Sequence, residues 1–331
     1  MDLYTHILRP LFFRLDAESA HNLAIALLAR TPPALIRAFF GGQDADSRPR
    51  DVFGIRFPNP VGLAAGMDKN AGCLPAWAAL GFGFAEIGTI TAHAQPGNPR
   101  PRAFRYPAER ALINRMGFNN EGARVVAARL ARLKNSGRWP AIPIGINIGK
   151  SKVTPLDEAP ADYLASMEAL APFGDYFAIN VSSPNTPGLR ELQETEKLRA
   201  IARAVRSAAG GKPVLIKIAP DLADADAIAI ASMAAEEGLA GLIATNTTLD
   251  HSSVARFGDE QGGLSGAPLL PRSTALLHAL HRSTTLPIIA SGGVMDVTSA
   301  REKFAAGASL VQIYTGFIYS GPGLIRVIKR S

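Results

Sequence analysis

Eight short apolar runs, each ending in Gly, Asn, Ser, Thr or Lys and followed by a stretch of helical periodicity, organise the chain from residue 60 onward. They cover residues 61–64, 84–87, 142–148, 176–181, 214–218, 241–244, 287–290 and 310–314. A strand that is apolar throughout is buried on both faces, which a parallel sheet covered by helices provides. Eight such units close into a (β/α)8 barrel rather than an open doubly wound sheet. The fold class expected is therefore α/β, a (β/α)8 TIM barrel preceded by a small N-terminal helical hairpin. Residues 1–45 form the helical segment and residues 46–331 the barrel.

Composition excludes several classes. With 47% hydrophobic and 19% charged residues the chain can bury a large core, so a disordered chain, collagen and a coiled coil are out. One Cys excludes a disulfide framework and a cysteine zinc site. Cys73 reads as a small buried residue. His6, His21, His93, His251, His278 and His281 are scattered without metal-ligand spacing, so no metal is expected.

The formal charge of +7 invites a nucleic acid or an anionic membrane as partner. Its distribution argues otherwise. Residues 100–139 hold ten Lys/Arg against Glu109 and Glu121, a net of +8, so the rest of the chain sums to −1. Neither interleaved stacking aromatics nor a nucleic-acid module accompanies the basic stretch, and no nucleic-acid partner is expected. Arg124, Arg129, Arg132, Lys134 and Arg138 read as the solvated face of a helix. Arg100, Arg102, Arg105 and Arg115 lie among Gly, Pro and Asn, as a loop near a site would. This stretch also fills the longest gap between runs, where a lid or substrate loop is expected.

The first forty residues are periodic. Leu3, Ile7, Leu8, Leu11, Phe12 and Leu15 fall on one helical face. Asp16 reads as the N-cap of a second helix with a stripe of Ala20, Leu23, Ala24, Leu27 and Leu28. After Pro32 and Pro33, a third patch of Leu35, Ile36, Phe39 and Phe40 precedes a polar linker at 41–50. Two readings stand: a hairpin buried on the barrel, or an amphipathic module lying in a membrane interface. Phe12, Phe13, Phe39 and Phe40 favour the second, although a net charge of +1 over residues 1–40 lends it little electrostatic help. The apolar run 23–29 is far shorter than the roughly 20 residues of a spanning helix. No secretory signal is read at the start.

Polar residues cluster where the eight runs end, and in a barrel those ends converge on the active site. Gly292-Gly293 after the seventh run, with Thr315-Gly316 after the eighth, suits a phosphate, or else is only a tight turn. No GxGxxG follows a strand and no GxxxxGK[ST] occurs, so neither a Rossmann fold nor a P-loop is supported. Lys69 and Lys217 lie at or inside the mouth and need an anionic or electron-rich partner. A Schiff-base lysine is one option; a cation for an anionic substrate or a reduced cofactor ring is the other. Asn114, Asn180, Asn185 and Asn246 match a small planar ligand with several carbonyl and N–H groups.

Several motifs in order complete the picture: AAGMDK at 64–69, INRMGFNN at 113–120, INVSSPNTPG at 179–188, IATNTT at 243–248, GGLSG at 262–266 and QIYTGF at 312–317. Together they resemble dihydroorotate dehydrogenase, and the membrane-associated, quinone-dependent class fits best. The resemblance spans nearly the whole chain. It implies one FMN per chain and oxidation of dihydroorotate to orotate in pyrimidine biosynthesis. FMN would contact Ala65, Gly66, Lys69, Thr89, Asn147, Asn180, Lys217, Thr245, Gly266, Gly293, Tyr314 and Thr315. Orotate would contact Lys69, Asn114, Arg115, Met116, Gly117, Phe118, Asn180, Asn185, Asn246 and Thr247.

The same resemblance makes Ser183 the catalytic base, where the soluble class carries Cys. Thr186 and Phe118 would supply a proton relay and exclude water, and Lys217 would stabilise the reduced flavin. A membrane quinone would enter between the N-terminal helices along a route lined by His21, Arg105 and Tyr314. With no transit peptide read, the expected location is peripheral, on the cytoplasmic face of a bacterial cell membrane.

Overall fold

The computed structural model of the chain describes residues 2–41, 48–186, 188–252 and 260–330. Most of the expected linker, the expected domain boundary at 45/46 and Pro187 of the 179–188 motif lie outside the described residues.

The chain opens with a π-helical turn (Tyr4–Leu8) running into α1 (Arg9–Phe12), then α2 (Ala17–Arg30) and α3 (Pro33–Phe40). Asp16 caps α2 as expected, its side chain accepting from the N–H groups of Glu18 and Ser19. The expected N-terminal helices are present: the first is short, with Pro10 at its start, and α3 lies at 114° to α2. No single helix among the described residues is long and apolar enough to cross a membrane.

Most of the apolar side chains of this segment do not bury against the barrel. Leu3, Ile7, Leu11, Leu15, Leu23, Leu27, Leu35 and Phe39 all stay exposed, Phe39 by 68%. Ile36 and Ala20 are buried, and Ile25, Leu28 and Phe40 pack partly against the core. Polar ties add to that packing. Tyr4 Oη donates to Ile318 O (2.6 Å) and Arg9 Nη1 to Tyr319 O (2.8 Å).

A short hairpin, β1 (Arg50–Val52) and β2 (Ile55–Phe57), leads into the barrel. The remaining strands are β3 (Val61–Leu63), β4 (Phe84–Ile90), β5 (Ala103–Tyr106), β6 (Ala111–Asn114), β7 (Ile144–Ile148), β8 (Tyr176–Asn180), β9 (Val214–Ile218), β10 (Gly241–Ala244), β11 (Gly263–Gly266), β12 (Ile288–Ser291) and β13 (Leu310–Ile313). Eight of them close in the order β3-β4-β7-β8-β9-β10-β12-β13 and back to β3, every neighbour parallel.

These are the eight expected runs. The second is longer than read, because pairing with β7 continues past a register shift to Ile90. Outside the strands lie α4 (Leu74–Ala79), α5 (Ala123–Asn135), α6 (Ala159–Leu170), α7 (Thr195–Ser207), α8 (Asp224–Glu236), α9 (Leu270–Ser283), α10 (Val297–Ala305), α11 (Thr315–Ser320) and α12 (Gly323–Lys329).

Two features place the site. The lower barrel is plugged: Phe57 of the hairpin stacks edge-on against Phe84 (5.2 Å), and Phe84 and Tyr176 are fully buried beside it. Gly62 and Gly145 make room for those rings, since a Cβ at either would lie 2.1 Å from one. The upper mouth carries a three-stranded antiparallel sheet, β5-β6-β11, that the apolar runs did not announce. Its strands β5 and β6 come from the long basic stretch, and β11 from the segment after β10.

The basic residues divide much as expected in α5, where Arg124, Arg132 and Lys134 are exposed. The loop arginines do otherwise. Arg102 is buried against Glu18 of α2, and Arg105 donates to Phe12 O (3.1 Å) and Leu15 O. They hold the N-terminal segment rather than a substrate or a phosphate.

Candidate active site

A cavity, partly open to solvent, lies at the C-terminal ends of the barrel strands. Its floor is the strand ends and its roof is the β6 and β11 side of the small sheet.

Each wall follows from local structure. After β3 the chain turns through Gly66 at φ +100°, a conformation open to Gly, while Gly66 N–H donates to Gly88 O (2.6 Å). Asp68 is buried and organises the turn, accepting from Gly72 N (2.6 Å), Cys73 N (3.1 Å) and Trp77 Nε1 (3.0 Å). Lys69 therefore leans back over the turn, its Nζ donating to Gly66 O (2.8 Å). Burial, with the Arg102 cation adding to it, pushes the Lys69 ammonium down to about 8, so it is still cationic near neutrality.

A polar floor connects β4, β7, β8 and β10. Thr89 Oγ1 donates to Asn147 Oδ1 (2.5 Å), and Asn180 Nδ2 donates to Thr89 Oγ1 (2.9 Å) and Asn147 Oδ1 (3.0 Å). Asn246 Nδ2 donates to Ser182 Oγ (3.0 Å), which in turn donates to Asn180 Oδ1 (3.0 Å). This network fixes which face of each amide meets the cavity.

Ser183 lines the cavity and is nearly inaccessible otherwise; its Oγ accepts from Asn185 N (3.3 Å). Asn185 Nδ2 donates to Asn114 Oδ1 (3.4 Å) across the roof. Phe118 lines the cavity from a backbone at φ +52°, a costly conformation for a bulky residue. Gly149 lets its ring settle, because a Cβ there would stand 2.9 Å from Phe118 Cε2.

The anion side is opposite. Gly292 and Gly293 sit at φ +100° and +80°, packed so closely on α9 that a Cβ at Gly293 would lie 2.4 Å from Leu270 Cα. Thr315 and Gly316 open α11 beside them, and first-turn N–H groups have no intrahelical acceptor. Such a glycine cradle plus free donors suits a phosphate monoester.

The cavity brings together Ala65, Gly66, Lys69, Thr89, Asn114, Met116, Gly117, Phe118, Asn180, Ser183, Asn185, Lys217, Thr245, Asn246, Thr247, Gly266, Gly293, Tyr314 and Thr315. Five expected site residues fall elsewhere. Arg115 follows the end of β6, one residue past Asn114, and its guanidinium turns away to Gln261 O (3.1 Å) and Pro101 O (2.9 Å). Past the strand end, those two carbonyls draw the Arg115 side chain away from the cavity that Asn114 lines. Asn147 is fully buried within the floor network and does not line the cavity. Thr186 is buried beside the lining residues, and its Oγ1 has no protein partner.

His21 and Arg105 do not line the cavity either. His21 is half-buried in α2, and burial together with the Lys69 cation pushes it down to about 3, so it is neutral at physiological pH. Arg105 stacks on Phe13 at 4.5 Å and ties down the N-terminal segment. Of the three expected route residues Tyr314 alone faces the cavity, its phenol pushed up to about 12 by burial.

One residue escaped the sequence reading. Glu86, fully buried inside β4, accepts from Asn147 Nδ2 (2.9 Å), Tyr176 Oη (3.1 Å) and Gln312 Nε2 (2.7 Å) and lies 3.7 Å from Lys217 Nζ. The signal was a lone carboxylate in an otherwise apolar run. Glu86 also orients Gln312, whose Oε1 is buried without a protein partner in a residue that lines the cavity. Glycine cradle, unpartnered acceptor and an amide-rich floor together fit a phosphorylated planar ring system. Among the described residues no group of His, Cys, Asp and Glu could hold a metal.

A family model described as dihydroorotate dehydrogenase matches residues 49–331. A protein of Salinispora arenicola named dihydroorotate dehydrogenase (quinone) is 54% identical, over 98% of this chain and 97% of the relative. One of Gloeobacter violaceus with the same name is 52% identical, over 100% of this chain and 94% of the relative. A crystal structure of DHODH from Eimeria tenella in complex with ferulenol aligns with a TM-score of 0.87 at 38% identity, over 95% of this chain and 90% of that one.

Proposed function

The chain belongs to the dihydroorotate dehydrogenase family and is an oxidoreductase, and on that premise we propose that it oxidises (S)-dihydroorotate to orotate with a membrane quinone as final electron acceptor. The observation that carries this reading is one cavity in which Ser183, four asparagines and two lysines meet a glycine-lined anion cradle. The reaction removes a proton from C5 and a hydride from C6. Flavin mononucleotide, one per chain, would supply the hydride acceptor and the electron relay to the quinone.

Ser183 Oγ takes the C5 proton. A serine hydroxyl is a weak base at neutral pH and needs a path for that proton. Thr186 Oγ1, buried and without a protein partner, is available to provide it. Phe118 covers the reacting face and excludes water. Lys69 and the amides of Asn114, Asn185 and Asn246, with Thr247 beside them, bind the substrate carboxylate and its planar amide edges. Gly266, Gly293 and Thr315 hold the cofactor phosphate, and Thr89, Asn180 and Thr245 bound the ring. Lys217 supplies a cation where the ring gains negative charge.

The N-terminal segment is read as the attachment to the cytoplasmic face of a cell membrane and the entry for quinone. Its exposed leucines and phenylalanine support that reading. His21 would serve there as a neutral hydrogen-bonding group.

The test is spectroscopic. The purified protein is expected to be yellow, to bleach when dihydroorotate is added without oxygen, and to regain colour with quinone. Ser183→Ala is expected to slow bleaching at neutral pH by about 10²-fold or more, the usual worth of a positioned base. A colourless protein, or a variant that bleaches at the wild-type rate, argues against the reading.

A further inference from the structure

Glu18 of α2 does not line the cavity, yet it is buried, and so is its partner. Arg102 Nη2 and Nε donate to Glu18 Oε1 (2.7 Å) and Oε2 (3.0 Å) as a fork, with Arg102 only 5% exposed. The remaining nitrogen of Arg102, Nη1, donates to two backbone carbonyls, Pro96 O (2.7 Å) and Asn98 O (2.8 Å). The pair thus clamps the loop around residue 98 from behind.

Asn98 spans two other loops. Its Nδ2 donates to Arg115 O (3.0 Å) and to Asn185 O (3.1 Å), and its backbone N–H donates to Met116 O (3.0 Å). Gly117 accepts this close approach; a Cβ there would stand 2.8 Å from Asn98 Cγ. Asn185 is the residue whose N–H meets Ser183 Oγ. A continuous set of hydrogen bonds therefore runs from α2 to the loop of the proposed base and to the loop that carries Asn114 to Phe118.

We propose that Glu18, Arg102 and Asn98 are positioning residues for dihydroorotate: through them the N-terminal segment holds the two substrate loops together. The proposal rests on the reaction assigned above. It gives the segment a second task, because a helix that only anchored the protein or admitted quinone would have no bearing on orotate. Coupling of this kind is reciprocal in binding free energy, so orotate should also steady α2. The Arg102 guanidinium holds the Glu18 carboxyl below the usual carboxylate range, in keeping with a permanently ionised clamp.

The experiment is orotate binding to the flavin-loaded, full-length protein by titration calorimetry, with Glu18→Gln, Asn98→Ala and the double variant. Each single change is expected to weaken orotate binding about tenfold, the worth of one or two hydrogen bonds. The double variant is expected to be no weaker than about twofold beyond the poorer single one, because both cut one path. In turnover, KM for dihydroorotate should rise while kcat and KM for quinone hold. Asn98→Ala leaves the buried ion pair intact, so it stands as a test even where Glu18→Gln fails to fold. Unchanged orotate affinity in Asn98→Ala, or effects that multiply in the double variant, would overturn the proposal. A wild-type protein that neither binds orotate nor is bleached by dihydroorotate refutes the assigned reaction instead.

Discussion

Lys303 sits fully buried in α10, its Nζ 2.6 Å from Ser273 Oγ, and Ser273 in turn reaches Gly292 O (3.0 Å) behind the anion cradle. Burial pushes this ammonium down to about 7 from an ordinary 10.5. Below pH 7 folded and unfolded chains both carry the proton, and the full cost of burying the charge is present. As pH rises from 7 toward 10.5 the folded side chain loses its proton first and that cost fades, so stability contributed by this residue rises with pH. Lys303→Met removes the effect. Denaturant unfolding at pH 6 and pH 9 should show the variant gaining on wild type at pH 6, by on the order of a few kcal/mol relative to pH 9. Parallel behaviour at both pH values would dismiss the argument.

Other residues mark how far the sequence could be read. Polar residues at strand ends were legible because a parallel barrel sends every strand end to one face. Glu86 was not, since one carboxylate inside an apolar run looks like part of the run until the facing strands are known. Arg115 was expected at the substrate beside Asn114, and nearness in sequence says nothing about where its guanidinium spends its donors.

At the scale of elements, strands were easier to read than the pieces between them. Continuous apolar runs mark barrel strands, whereas β5, β6 and β11 carry mixed residues and pair only across long separations. The helical periodicity of residues 3–15 was real, but Pro10 lacks the N–H a continuous helix would use there, and the segment divides into a π-turn and α1. The barrel itself depends on small residues that face large ones. Gly62→Ala would put a Cβ 2.1 Å from the Phe84 ring, inside a plug that has no free space. A loss of about 3 kcal/mol or more is expected, read as a large drop in melting temperature, with an exposed control such as Val153→Ala unchanged. A near-neutral Gly62→Ala would mean that the hairpin under the barrel can shift.

For the molecule as a whole, the net charge of +7 proves a poor guide to partners. Arg102, Arg105 and Arg115, all from the basic stretch, spend their donors on the chain's own carboxylate and carbonyls. The proposed membrane contact rests on the apolar surface of the N-terminal segment. Binding to lipid vesicles should therefore change less than about threefold between roughly 0.05 and 0.5 M salt, because screening acts on charge and not on buried apolar area. Release by moderate salt, measured by co-sedimentation, would point back to the exposed Arg124, Arg132 and Lys134 of α5.

The ties from Tyr4 and Arg9 to Ile318 and Tyr319 span 314 and 310 residues of sequence. Helix α2 is held over a shorter span, by Arg102 on Glu18, 84 residues apart. Local helix formation supplies neither contact, so the greasy face of the opening helices takes its final orientation only once the loop around Arg102 and α11 are both in place.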